Sequence, residues 1–268
     1  MDAHLRFAVL GDVEPKPDPE YTWLPRAVEV INDEHAHTGL AFVAGVGDVA
    51  HNGTPEQYAA ATACLSDLDL PFYAIMGNEE LNEPISPFLS FARAVNADAN
   101  VVPDIQYVKP YGGYRFVFAS PLIRGRGFTT AQLNWIEAQV RHSTEPVIGI
   151  VHAAPQGVLP DGRHMPDRRF DRVAALPALQ LVFSGHSHLD VERCQTMDTD
   201  EWGTRHVHIP GIERTKVGDG HTPRFAFVEI DETGTVDIRY YNLETDAFES
   251  ALGHQCSIKP PRRAFADD

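Results

Sequence analysis

The sequence predicts an α/β fold built around a parallel sheet, and three observations carry that prediction. Apolar runs of strand length recur between Leu5 and Phe183, and segments of helical spacing separate many of them. Five of the runs also end in polar patches, rich in Gly, Asp, Asn and His. Ligands of parallel α/β sheets gather at the carboxyl ends of the strands, so these patches are where chemistry is to be sought.

Leu5–Leu10 is the first apolar run and stops at Gly11-Asp12. From Thr22 to about His35 the spacing is helical, with Leu24, Val28 and Ile31 on one face and Pro25 in the first turn, where a missing N–H is tolerated. Leu40–Val46 reads as a second buried strand, ending at Gly47-Asp48. Thr54-Pro55-Glu56-Gln57 then supplies an N-cap, a proline at the first helical position and a capping-box glutamine, starting a helix that runs to about Leu68. Pro71–Met76 is a third strand, ending at Gly77-Asn78, and Ser86 to about Asn96 is helical. Tyr114–Ala119 is a strand, and Thr129 with Gln132 opens another capped helix. Val147–Val151 and Leu179–Phe183 are buried strands that end at His152 and at Ser184-Gly185-His186. After these the pattern changes to strand signals at Arg205–Ile209, Arg224–Ile230 and Thr235–Tyr241, separated by Gly and Asp turns. With no Ser/Gly linker or internal repeat, a single domain over 1–259 is expected, followed by a mobile polar tail over 260–268. Separations of 36 residues from Asp12 to Asp48 and 30 from Asp48 to Asn78 suit successive βαβ units.

The 268 residues are 43% hydrophobic and 22% charged, ordinary values for a globular chain with a full core. No apolar run approaches the ~20 residues of a membrane span, and the start enters a strand signal without a charged segment and long apolar stretch. A cytoplasmic protein with no membrane partner is expected. The net charge of −16 argues against a nucleic-acid polymer as partner. It leaves room for a small anionic substrate, because bound cations can reverse the local potential. Cys64, Cys194 and Cys256 have neither disulfide nor zinc spacing and read as buried free thiols. Oligomeric state is not legible.

The chemistry-bearing patches are Asp12-Val13-Glu14, Gly47-Asp48, Gly77-Asn78-Glu79-Glu80, His152 and Gly185-His186-Ser187-His188. Taken singly they are weak: a lone histidine is often a satisfied polar residue, and Asn after Gly is a turn. Two histidines at i and i+2 after a buried strand can point into one cleft. In this order and at strand ends, the set has the donors of a binuclear metal site, the usual means of activating water against a phosphate ester.

These motifs resemble the calcineurin-like metallophosphoesterase superfamily, marked by D-x-H, G-D, G-N-H-[DE], a single H and G-H-x-H in that order. They stand here as GDVE, GVGD, MGNEE, IVHAAP and FSGHSH, and the resemblance spans about residues 5–245. It implies a four-layer sandwich of two mixed β-sheets flanked by helices, with a size and spacing most like the bacterial phosphodiesterase branch. It also implies two divalent ions, one held by Asp12, Glu14, Asp48 and His188, the other by Asp48, Asn78, His152 and His186, with Asp48 bridging. The expected reaction is hydrolysis of a small anionic phosphoester, a diester before a monoester, by a metal-bridged hydroxide. The alternative is a catalytically impaired relative that binds metal or nucleotide.

Two positions depart from the pattern. Glu14 replaces a histidine and is a harder, anionic donor, favouring manganese or iron, with magnesium or zinc also compatible. Glu79 replaces the histidine expected beside the substrate phosphate, and with Asp48 it is the candidate catalytic residue. It can act as an acid only if burial or neighbouring Glu80 raises its pKa; ionised, it tolerates a monoanionic diester better than a dianion. Candidate substrate-binding residues are His51 and Asn52, just after Asp48, and Arg163 and His164 in the arginine-rich stretch Asp161–Asp171. That stretch, with Arg168 and Arg169, also reads as a solvated loop with local ion pairs.

Overall fold

The computed structural model describes residues 5–16, 20–96, 104–123, 127–155, 157–162, 165, 168–217 and 220–261. The first βαβ units follow the expected order: β1 (Leu5–Leu10), α1 (Leu24–Thr38), β2 (Val43–Gly45), α2 (Pro55–Leu65), β3 (Phe72–Tyr73) and α3 (Ile85–Val95). Next come β4 (Gln106–Tyr111), β5 (Tyr114–Ala119), α4 (Thr130–Arg141), β6 (Val147–Val151), the short α5 (Asp171–Ala174) and β7 (Leu179–Ser184). The remainder is β8 (Met197–Thr199), β9 (Arg205–His208), β10 (Arg224–Ile230), β11 (Thr235–Asn242), β12 (Ala247–Phe248) and β13 (His254–Ser257).

The strands form two mixed sheets. One runs β12-β11-β10-β1-β2-β3, with β13 also paired to β11, and the other runs β4-β5-β6-β7-β9-β8. β1, β2 and β3 are parallel, in the register Ala8↔Val43 and Val43↔Phe72, and β10 joins β1 antiparallel. β5, β6, β7 and β9 are likewise parallel, with antiparallel edges β4 and β8.

Three apolar clusters define four layers. Side chains of α1, α2 and α3 pack on the outer face of the first sheet, and those of α4 and α5 on the outer face of the second. Between the sheets lie Phe7, Phe42, Phe116 and Phe183. The Phe7 ring stacks on Phe42 at 5.0 Å between centroids and meets Phe116 edge-on at 5.3 Å. Such aromatic pairs hold facing sheets through large buried area plus roughly 1 kcal/mol of specific geometry each.

The helices start as their sequences dictate. Thr54 with Gln57 and Thr129 with Gln132 form complete capping boxes. α1 lacks a side-chain cap of its own, and Glu213, distant in sequence, accepts from the amides of Thr22, Trp23 and Leu24 at 3.2, 2.8 and 3.1 Å. The three cysteines are free, as expected, but half-buried rather than buried. Among the described residues, no helix is long and apolar enough to cross a membrane. The expected mobile tail lies, from residue 262, outside the described residues.

Candidate metal centre

Each predicted ligand lies just past the carboxyl end of a parallel strand. β1 delivers Asp12 and Glu14, β2 delivers Asp48 and β3 is followed by Asn78, while β6 and β7 deliver His152 and then His186 and His188. The first sheet thus supplies the carboxylates and the amide, and the second supplies the imidazoles. Backbone ties fix the motifs to one another. The amides of Val13 and Glu14 donate to Asp48 O at 3.2 and 3.0 Å, and the His186 amide donates to Asp12 Oδ2 at 2.7 Å. Among the described residues, the non-glycine positions with positive φ are Asp48 (49°), His186 (68°), His188 (45°) and Asp246 (56°). Three of the four are ligand positions, which is where strained backbone is held by its surroundings for function. Gly77 and Gly185 are required by close approach: a Cβ on Gly77 would lie 2.1 Å from Asp48 Oδ1, and one on Gly185 would lie 2.3 Å from Asp12 Oδ2.

The imidazoles are oriented from behind. His152 Nδ1 faces Val46 O at 2.9 Å and His188 Nδ1 faces Arg214 O at 3.0 Å. A nitrogen facing a carbonyl carries the proton, which frees Nε2 on each ring as a donor atom. His152 Nε2 then lies 3.2 Å from Asn78 Oδ1, 3.1 Å from His186 Nδ1 and 3.4 Å from Asp48 Oδ2. His188 Nε2 lies 3.2 Å from Asp12 Oδ1 and 3.7 Å from Glu14 Oε1.

Two overlapping groups result, Asp48 with His152 and His186, and Asp12, Glu14 and Asp48 with His188, each with its donor atoms within 4.8 Å of one another. Asp48 belongs to both. Asp48 Oδ2, Glu14 Oε2 and His188 Nε2 are buried without a hydrogen-bond partner, a costly state for polar atoms unless a further ligand satisfies them. The charges point the same way. Burial, with Asp48 and Asp12 beside it, pushes the Glu14 carboxyl well above its usual range, and Arg214 and Lys216 offset this only in part. Burial also works to raise Asp12, but His188, His152 and Lys216 hold it well below the usual range. His152 is disfavoured as a cation by burial, yet Asp48 and Asp12 push it up to about 9. An excess of buried negative charge with orphaned oxygen and nitrogen donors fits a pair of divalent cations.

The other predicted site residues divide. Glu79, 18% exposed at its side chain, lies between Lys16 Nζ at 3.4 Å and His51 Nδ1 at 3.6 Å, and its amide donates to Asp48 Oδ1 at 3.0 Å. Asn52 is exposed, and its amide donates to Gln57 Oε1 at 2.9 Å, serving the start of α2. Arg163 and His164 lie outside the described residues. Arg169 donates to Phe128 O at 3.0 Å and Arg168 faces Asp171 at 3.9 Å, the local ion-pair alternative for that stretch.

Glu80 turns away from Glu79 and is buried. Its Oε1 accepts from Val49 and Ala50 at 2.5 and 2.9 Å and its Oε2 from Gly77 at 2.7 Å, clipping the Asp48 turn to the Asn78 turn. Burial and then Asp48 push its carboxyl up to about 8, against these amide donors. Sequence reasoning missed three more contributors. His208 Nε2 accepts from the Leu189 amide at 3.0 Å, and burial pushes its pKa down to about 3, so it stays a neutral prop for the loop of His188. Arg214 pairs with Glu14 through Nη2, and Lys216 Nζ donates to His186 O at 3.4 Å. The available signal was a sixth strand end: β9 is parallel to β7 and runs into the Gly211–Val217 segment.

The chain belongs to the calcineurin-like phosphoesterase family, whose model matches residues 5–190. No curated protein matches it by sequence. Among solved structures it is similar to the purple acid phosphatase PPD1 of yellow lupin (Lupinus luteus), with 16% identity over 97% of this chain and 55% of that one, and a TM-score of 0.68. It is also similar to GAP50, the anchor in the inner membrane complex of Plasmodium, with 15% identity over 97% and 90% and a TM-score of 0.65. The Haemophilus influenzae NAD nucleotidase NadN has 12% identity over 96% and 54%, and a TM-score of 0.51. This chain spans about half the length of the lupin phosphatase. These likenesses establish the two-sheet α/β architecture that the sequence predicted.

Proposed function

We propose that this protein is a cytoplasmic metal-dependent phosphodiesterase acting on a small anionic diester. The observation that carries the proposal is Asp48. It is fully buried, held in a left-handed conformation, unpartnered at Oδ2 and shared by two clusters of donors. Asp12, Glu14, Asp48 and His188 would hold one ion, and Asp48, Asn78, His152 and His186 the other. Such ions would supply Lewis acidity there, lowering the pKa of a bound water and offsetting the charge of phosphoryl oxygens. Glu14 makes manganese or iron the favoured metal.

The chain's own groups do the rest. His186 N and Gly77 N hold the carboxyls of Asp12 and Glu80, so the ligand turns are set before substrate arrives. At the rim, Glu79, His51 and Lys16 form a polar cluster beside Asp48. Glu79 faces the His51 imidazole at 3.6 Å and favours its cation against burial and Lys16, which lower its pKa, and protonated His51 would give its proton to the departing alkoxide. The Glu79 carboxylate also repels a phosphate dianion more than a diester monoanion, which is what favours a diester. The test is hydrolysis of bis(p-nitrophenyl) phosphate against p-nitrophenyl phosphate with manganese, alongside metal analysis of protein purified without added metal. Faster monoester turnover overturns the diester assignment.

One observation favours a second reading, a binding module of impaired activity: Glu14 is already paired with Arg214. An inert wild type that gains turnover in the E14H/E79H double variant would establish it. An active wild type that loses turnover on the same changes shows both glutamates to be working parts.

A further inference from the structure

We propose that Arg214 is the resident counter-ion of the first metal position: it neutralises Glu14 while that position is empty and turns to the substrate's phosphoryl oxygens once an ion takes Glu14. This role rests on the binuclear site proposed above. Glu14 has no solvent exposure, so whenever it is ionised its charge needs a partner. In the family pattern a histidine stands there and needs none. The partner is the Arg214 guanidinium, whose Nη2 meets Glu14 Oε1.

Arg214 is built to release that contact without disturbing the site. Its backbone is fixed, because its carbonyl orients His188 Nδ1, while the Ile212 amide donates to Asp12 O and the Lys216 amide to His188 O, both at 3.0 Å. Its side chain is 25% exposed and held by the Glu14 contact through Nη2, while Nε is buried without a hydrogen-bond partner. One residue thus touches two predicted ligands of the same metal position, one through its backbone carbonyl and one through its side-chain cation. A divalent ion on Glu14 would repel the guanidinium toward its solvent-exposed side. There, with Lys16 on the Glu79 side and Lys216 on the His186 side, it completes a basic rim on a strongly acidic chain. Arginine suits this task because its planar fork binds two phosphoryl oxygens at once.

The experiment titrates metal-stripped wild type, R214Q and R214K with manganese by calorimetry, and follows the spin-coupled pair by electron paramagnetic resonance. R214Q removes the competitor for Glu14, so the first position should tighten about tenfold or more, the scale of effects from groups that contact metal ligands, while the second keeps its affinity. R214K, still cationic, should stay near wild type. At saturating manganese, R214Q should raise KM for bis(p-nitrophenyl) phosphate about tenfold, with a smaller change in kcat. If R214Q leaves the first position unchanged or loosens it, Arg214 is a structural prop and the proposal is wrong. Two equal ions in both proteins would also overturn Arg214's role while leaving the binuclear site standing. Fewer than two in every variant would bring down the binuclear reading and this proposal with it.

Discussion

The two proposed metal positions share Asp48 and are otherwise built from opposite materials. The second surrounds Asp48 with neutral donors, Asn78, His152 and His186, while the first adds Asp12 and Glu14 and a single imidazole, His188. A divalent ion therefore leaves a net charge of about +1 at the second position and about −1 at the first. The positive one is suited to polarise a phosphoryl oxygen, and the negative one to tolerate a harder, less acidic ion. Glu14 in place of a histidine doubles the imbalance, because Asp12 alone would leave the first position neutral. Of the surrounding cations, Arg214 pairs with Glu14 at the first position, while Lys216 acts on Glu14 from beside His186, where its Nζ donates to the backbone.

The strongest way to break the comparison is at the shared residue. D48N should release ions from both positions and reduce turnover by roughly a thousandfold. H152A should empty the second position alone, leaving one ion by metal analysis. Retention of two ions in D48N would show that the positions do not share a bridge. Next comes Glu80, whose buried carboxyl serves three amides from the two ligand turns. E80A strands those donors and should cost roughly 3 kcal/mol in urea unfolding. Because the clip holds the Asn78 turn, manganese affinity should fall more at the second position than at the first. Equal loss at both would reduce Glu80 to a general stabiliser.

Much of this centre was legible because its ligands obey a local rule: each follows a buried strand on the same face. That rule singled out Asp12, Asp48, Asn78, His152, His186 and His188 as candidates, and the family resemblance assigned them to two metal positions. Strand lengths were less legible. The runs Leu40–Val46 and Pro71–Met76 shrink to Val43–Gly45 and Phe72–Tyr73, because burial demands apolar side chains beyond the last paired residue. β4 was missed since Lys109 and Pro110 give it no alternation, and it is an edge strand where proline is tolerated. Arg214 was invisible for a different reason. It stands 200 residues from Glu14, beyond the family match, and only folding reveals that one charge answers the other.

Glu14 itself offers a gentler test. E14H should shift preference from manganese toward zinc by about tenfold to a hundredfold, and it should make R214Q nearly silent toward metal affinity. An R214Q effect that persists in the E14H background would uncouple the two residues and return the imbalance between the positions to the carboxylates alone.

The smallest effect is expected at the rim. Glu79 is partly solvated and has Lys16 and His51 beside it, so its influence on a substrate charge is screened. A unit charge at ~4 Å in water-like surroundings is worth about 1 kcal/mol, or about fivefold in rate. A monoester dianion carries one more negative charge than a diester. E79Q should therefore raise the ratio of monoester to diester turnover about fivefold, more at low salt than at high. H51A, which leaves the carboxylate in place, should slow both substrates and leave that ratio unchanged. If E79Q slows both equally and salt has no influence, then Glu79 acts only by holding His51. The preference for a diester must in that case come from the unequal charge of the two metal positions.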